Sequence, residues 1–139
     1  VTTVVPLLTE RTAGVATRVR EQHLPKLRRH ALETLKQCGA AWAPMVEPPV
    51  ELPAFLGRRR AGVQWLADPT GATPASAMDA TPVTVVVGPE GGLSDSERTA
   101  LLAGGFQPRA LGVHTLRFET AALAAAVMVT TARLRGIRG

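Results

Sequence analysis

Val83-Thr84-Val85-Val86-Val87-Gly88-Pro89-Glu90-Gly91-Gly92-Leu93-Ser94-Asp95-Ser96-Glu97 falls into three parts. Val83–Val87 is β-branched and apolar except for Thr84, the pattern of a strand buried on both faces in a parallel sheet. Gly88–Gly92 packs three glycines and one proline into five residues, which reads as a tight turn whose glycines permit positive φ and close backbone approach. Ser94 stands where a helix N-cap belongs, and Glu97 follows three residues later, as in a capping box. Strand, turn and helix follow one another, and in open α/β sheets ligands bind at the carboxyl ends of strands. Free N–H groups at a helix start ordinarily attract phosphate. Here Glu90, Asp95 and Glu97 crowd that end, which favours a neutral or cationic ligand. Neither G-x-G-x-x-G nor G-x-x-x-x-G-K-[ST] is present, so neither nucleotide fingerprint is met.

Downstream, Gly105-Phe106 precedes Leu111-Gly112-Val113-His114-Thr115-Leu116-Arg117-Phe118-Glu119-Thr120-Ala121 and an alanine-rich segment. Taken with Gly88–Gly92, Ser94 and Glu97, this resembles the cofactor-binding signature of the SPOUT RNA methyltransferases, and within them the RsmE family. The pattern there is roughly GPEGG-[FL]-S-x-x-E, then GF, then LG-x-x-I-L-R-x-E-T-A. Thr115 stands in place of the usual Ile. The resemblance is strong over Val83–Arg135 and continuous but weaker upstream, where Thr9-Glu10-Arg11-Thr12 looks like the T-E-R-S segment after the first strand.

The resemblance implies an α/β trefoil knot, with a mostly parallel sheet flanked by helices. It also implies a homodimer with the cofactor near the subunit interface. The reaction implied is S-adenosylmethionine (SAM)-dependent methylation of N3 of a uridine in bacterial 16S rRNA. The whole chain, residues 1–139, reads as one such domain. An RNA-binding PUA-like barrel normally precedes it, and nothing in these residues corresponds to one. In this reading Gly88, Pro89, Glu90, Gly91, Gly92, Leu111, Gly112, Leu116, Arg117, Glu119, Thr120 and Ala121 hold the cofactor. Leu111 and Leu116 form apolar walls. Glu90 either bears on the sulfonium or amino group or caps the turn.

Methyl transfer at carbon demands alignment of nucleophile, methyl and sulfur. Uracil N3 becomes a good nucleophile as its proton leaves, and negative charge then spreads to the flanking carbonyl oxygens. A fixed cation stabilises that charge. Arg117, always charged and forked, is the candidate catalytic residue, against the alternative of a salt bridge with Glu119 or Glu90. His114 and Glu119 are candidate proton acceptors. N3 lies within a Watson–Crick pair, so the target base must be unpaired or flipped out.

Composition limits the alternatives. The 139 residues suffice for one domain with a core, and 45% are hydrophobic. The formal net charge is +5 and the pI near 11.0, which suits a polyanionic partner. Aromatics are 4%, with no Tyr, so a stacking platform of the RRM or OB type is not expected. No apolar run approaches the roughly 20 residues of a membrane helix, and no signal peptide is evident at Val1–Leu8. The single Cys38 excludes an intrachain disulfide and fits a reducing, cytoplasmic setting. His23, His30 and His114 form no metal-ligand spacing with Cys38. Two alternatives remain: a knotted cofactor- or RNA-binding domain with little catalysis, and another SPOUT enzyme such as a ribose 2′-O-methyltransferase. The latter relies on an Asn-containing motif, and this chain has no Asn.

The other expected elements follow from local pattern. Val1–Leu8 reads as a first strand. Val15–Gln37 has helical periodicity, with the firm helix at Pro25–Cys38, a stop at Gly39 and a basic face that includes Arg18, Lys26, Arg29 and Lys36. Trp42–Val46 reads as a short strand and Val50–Leu56 as a short helix. Arg58-Arg59-Arg60 reads as a charged loop. Gly62–Ala67 reads as a second core strand closed by the turn Asp68-Pro69-Thr70-Gly71, with Asp68 a weaker pocket candidate. Ala72–Pro82 reads as a loop. Ser94–Ala103 is expected as a helix, Phe106–Leu111 as a short strand, and Glu119–Leu134 as a final helix whose apolar residues run almost all round.

Overall fold

The computed structural model describes residues 1–12, 19–38, 41–74 and 77–138. Val15, Arg18 and the expected stop at Gly39 lie outside the described residues. The chain forms two compact units, Val1–Gly57 and Arg58–Gly139. Every strand pairing in both is parallel.

In the first unit, Val1–Leu8 makes two strands instead of one: β1 (Thr3–Val4) and β2 (Leu7–Leu8). Pro6 lies between them and has no N–H to donate. Its carbonyl accepts from Val50 N at 3.0 Å. β3 (Met45–Val46) pairs with β1, and β4 (Val50–Glu51) pairs with β2. The strand expected over Trp42–Val46 is thus reduced to its last two residues, because Pro44 cannot continue a ladder. The helix expected at Val50–Leu56 begins only at Leu52: α2 is Leu52–Leu56, with Pro53 in its first turn. Val50 and Glu51 are held extended by β2.

Helix α1 (Leu24–Cys38) follows a 3-10 turn at Glu21–His23, one residue earlier than expected. It packs on β3, and Arg28 Nε and Nη2 donate to the Val46 carbonyl at 3.2 and 3.0 Å. Thr9 is buried just before the 3-10 turn Glu10–Thr12, and the Thr12 hydroxyl donates to the Thr9 carbonyl at 2.8 Å.

The second unit is built on β5 (Val63–Ala72), the centre of a sheet ordered β6-β5-β7 with β6 (Val83–Val86) and β7 (Gln107–Arg109). Trp65 and Leu66, on β5, are 2% and 1% exposed, each burial contributing about 1.5–3 kcal/mol. β6 is an edge of this sheet, and of its residues only Val86 is fully buried while the other three are half-buried, less than the enclosure on both faces expected. The expected strand at Phe106–Leu111 shrinks to Gln107–Arg109. Arg58–Arg60 is a loop, and the Arg60 guanidinium lies 5.2 Å from the centre of the Phe106 ring.

β5 also departs from its expected end. Asp68–Gly71 does not terminate the strand. Ala67 and Ala72 both register against Arg109, so the four residues between them bulge out and β5 then rejoins β7. Gly71 makes this possible: a Cβ there would meet Pro108 C at 2.3 Å and Arg109 N at 2.4 Å. Inside the bulge, Asp68 Oδ1 accepts from Thr70 N at 2.8 Å and from the Thr70 hydroxyl at 2.6 Å.

The turn after β6 and helix α3 (Asp95–Ala103) follow the expected pattern. Ser94 Oγ accepts from Glu97 N at 3.2 Å, and Glu97 Oε2 accepts from Ser94 N at 2.9 Å, the two halves of the capping box. Leu101 on this helix is fully buried. Of the turn glycines, only Gly92 adopts positive φ (71°), closing a turn in which its N–H donates to the Pro89 carbonyl at 2.8 Å.

The last helix, α4 (Phe118–Arg138), is longer than expected at both ends. Ala121, Ala125 and Ala132 lie along one stripe and are buried. Loop residues Met78 and Thr81 cross it: Met78 N donates to the Ala132 carbonyl at 3.0 Å, and Arg133 Nη2 to the Thr81 carbonyl at 2.9 Å. About half a helical rotation away, Leu123, Val127 and Leu134 are 69%, 62% and 55% exposed. The helix is therefore covered on one side only.

Candidate functional site

A cleft of about 670 Å³ opens in the second unit beside the bulge of β5 and the carboxyl end of β6. Its size falls in the ordinary range for small-molecule sites, about 300–1,000 Å³. Three segments form it. The middle of β5 contributes Leu66, Ala67, Asp68 and Pro69; the β6 end and its turn contribute Val87, Gly88, Pro89, Glu90, Gly92 and Leu93. The segment leading into α4 contributes Leu111, Gly112, His114, Thr115, Leu116 and Arg117, followed by Phe118, Glu119 and Ala121 of the helix itself.

The two stretches singled out in the sequence thus meet in one cavity. Ten of the residues expected at the cofactor line it: Gly88, Pro89, Glu90, Gly92, Leu111, Gly112, Leu116, Arg117, Glu119 and Ala121. Gly91 and Thr120 do not. Arg58–Arg60 is not among the lining residues either.

Leu66, Val87, Leu93, Leu111 and Leu116 supply the apolar part of the cleft's lining. Gly112 is in van der Waals range of Leu116, whose branched end lies 3.5 Å from where a Cβ would be. Such a surface suits the face of a flat aromatic base. Arg117 is exposed, and its carbonyl accepts from Ala121 N at 2.8 Å, so its backbone opens α4 while its side chain stays available. Among the described residues no ion pair joins Arg117 to Glu90 or Glu119.

On the β5 side the charges are paired. Asp68 Oδ2 accepts from Arg98 Nε at 2.9 Å and lies 2.8 Å from Arg98 Nη2. The Asp68 side chain is 11% exposed and that of Arg98 is 43% exposed. Burial pushes the Asp68 carboxyl up. The Thr70 hydroxyl and amide, and then the Arg98 guanidinium, more than offset this and hold it below its ordinary value.

Sequence reasoning gave Asp68 mainly a turn-forming role and did not single out Arg98. One signal was available: Arg98 stands four residues after the N-cap Ser94, one helical turn on, and so shares the face that looks back toward the turn. Among the described residues, no three His, Cys, Asp or Glu side chains group as a metal site. No helix among them is long and apolar enough to cross a membrane.

Comparison with known proteins places this geometry in context. Residues 1–130 match the model of the RNA methyltransferase domain family. The chain is 32% identical over 125 residues to ribosomal RNA small subunit methyltransferase E of Synechocystis sp., covering 84% of this chain and 40% of that protein. A methyltransferase-like protein of Legionella pneumophila, solved with its cofactor SAM, superposes with a TM-score of 0.76 at 28% identity, over 94% of this chain and 55% of that one. An rRNA-methyltransferase candidate of Porphyromonas gingivalis gives 0.81 at 27% identity, over 96% and 57%. The chain therefore spans about half the length of the proteins it matches.

Proposed function

The chain belongs to the RNA methyltransferase domain family, and from that premise we propose that it methylates N3 of a uridine in 16S rRNA with SAM as donor, acting in the cytoplasm as a homodimer. One observation carries the reading. Gly88–Leu93 and Leu111–Ala121, well separated in sequence, share a single cleft at the carboxyl end of β6, beside the bulge of its parallel neighbour β5.

The cleft's chemistry suits this donor. Leu66, Val87, Leu93, Leu111 and Leu116 supply an apolar surface for an adenine ring, and the backbone of Gly88–Gly92 supplies polar groups beside it. Glu90, exposed on the rim, suits a cationic ligand better than a dianionic phosphate. When bound, SAM supplies a methyl group made electrophilic by its sulfonium.

The remaining work belongs to the chain's own residues. Arg117 keeps its charge at any working pH, and its planar fork of donors can stabilise the negative charge on the uracil oxygens as the N3 proton leaves. His114 and Glu119 line the same cleft and are the two acceptors for that proton. The net charge of +5 favours approach of RNA through its phosphates. The exposed Leu123, Val127 and Leu134 stripe on α4 supports the dimer, because it is an apolar face that a second copy would cover.

Calorimetric titration with SAM, a solution-mass measurement and transfer of labelled methyl to 16S rRNA test the reading. The expected result is saturable binding, a dimer mass and label at uridine N3. Binding without transfer would reassign the chain as a cofactor-binding domain, and absence of binding by the folded chain would overturn the reading.

A further inference from the structure

The Asp68–Arg98 pair lies in the cleft but has no role in the reaction as derived above. Its geometry is specific. Both oxygens of Asp68 are engaged: Oδ1 accepts from the Thr70 amide and hydroxyl, and Oδ2 accepts from Arg98 Nε and lies 2.8 Å from Nη2. Asp68 thus serves as an anchor for Arg98. A guanidinium has five N–H donors, and Asp68 uses one edge, that of Nε and Nη2. The donors of Nη1 and the outer one of Nη2 remain as a second fork on a side chain that lines the cleft.

Several features hold Arg98 in place. It rises from a helix whose start is secured by the Ser94–Glu97 capping box, and it is gripped by a carboxylate fixed in a strand bulge that Gly71 alone permits. A fork held at one edge has lost much of its rotamer freedom already, so the opposite edge binds at a lower entropy cost. A planar pair of N–H donors matches two oxygens of one oxyanion.

We propose that Arg98, positioned by Asp68, is an oxyanion-binding residue of this cleft, engaging a carboxylate or phosphate oxygen pair with its outer N–H edge. Resting on the function proposed above, two sources supply that chemistry: the carboxylate of the donor's amino-acid end, and a phosphate of the RNA strand entering the cleft.

The test uses Arg98→Lys, which keeps the charge and removes the fork, together with the double variant D68N/R98Q, which leaves no buried carboxylate unpaired. Inorganic phosphate and acetate are titrated first, read at the Arg98 Nε resonance of the wild-type chain, a measurement independent of any methyltransferase activity. Saturable shifts are expected. SAM, decarboxylated SAM and RNA are then titrated into all three proteins. If the donor carboxylate is the ligand, both variants bind SAM about tenfold or more weakly, and wild type shows the same loss with decarboxylated SAM. If a phosphate is the ligand, SAM affinity is unchanged and RNA affinity falls in both variants, and the salt slope drops by about one in the double variant, which alone loses the cation.

Unchanged SAM and RNA affinities in both folded variants, with no anion shift at Nε, overturn the oxyanion site and leave the proposed function standing. Anion shifts at Nε in a chain that binds neither SAM nor RNA overturn the proposed function and leave the oxyanion site standing.

Discussion

On one side of the cleft Asp68 has both oxygens engaged, by Thr70 and by Arg98. On the other, Glu90, Arg117 and Glu119 stand exposed, and among the described residues no ion pair joins them. The two sides lie on neighbouring parallel strands, yet they handle charge differently. The β5 side resolves its charges within the protein, which leaves a rigid wall with a single outward-facing edge. The side formed by the β6 turn and the start of α4 keeps its charges solvated. Mutations on the first side should therefore act on folding and ligand orientation, and those on the second on the chemical step.

Arg117→Ala is expected to show the largest effect and to separate the two sides most sharply. Transfer should fall by about 10²- to 10³-fold, while SAM affinity and thermal stability stay near wild type. Loss of SAM binding instead would make Arg117 a cofactor residue. Gly71→Ala should do the opposite. Its Cβ would sit 2.3 Å from a backbone carbon of Pro108, so β5 and β7 must separate, at a cost of about 3 kcal/mol in urea unfolding. A tolerated alanine would mean that the bulge does not hold the β5 wall.

Asp68→Asn should cost about 1 kcal/mol. That is the low end for a charge-assisted pair, because Arg98 is 43% exposed and partly screened. The folded-state pKa of Asp68 lies below its ordinary 3.8, so its contribution is fully present above that value and is lost as pH falls through the folded pKa. The stability gap between wild type and D68N should therefore close in acid. A gap that widens in acid would contradict the pairing. Ser94→Ala removes one half of the capping box and should cost about 1 kcal/mol or less, with a small loss of SAM affinity, because α3 carries Arg98. No effect on binding would detach the β5 wall from the ligand.

Legibility divides along the same line. The β6 turn could be read from its residues because each part is a local signal: a β-branched run, dense glycine, then Ser94 and Glu97 at capping distance. The β5 bulge could not. Asp68-Pro69-Thr70-Gly71 carries every mark of a turn that ends a strand, and locally it does turn, with Thr70 bonded to Asp68. What carries the strand on to Ala72 is pairing with Arg109 on β7, roughly 40 residues away, and no local pattern contains that partner. Val1–Leu8 failed similarly: its apolar run fits one strand, but Pro6 and two separate partners divide it.

By itself, the order of residues determined that this is an α/β chain, and it picked out Gly88–Gly92 and Leu111–Ala121, with Arg117 among them, as the candidate ligand loops. These rest on local propensity, capping and a motif of specific spacing, all properties of neighbours along the chain. Only the tertiary structure decided that β6 is an edge strand, that α4 is covered on one face, and that Asp68 of β5 grips Arg98 of α3. Each of those depends on which distant backbone comes within a few ångströms, a choice made by the whole fold and written in no single segment.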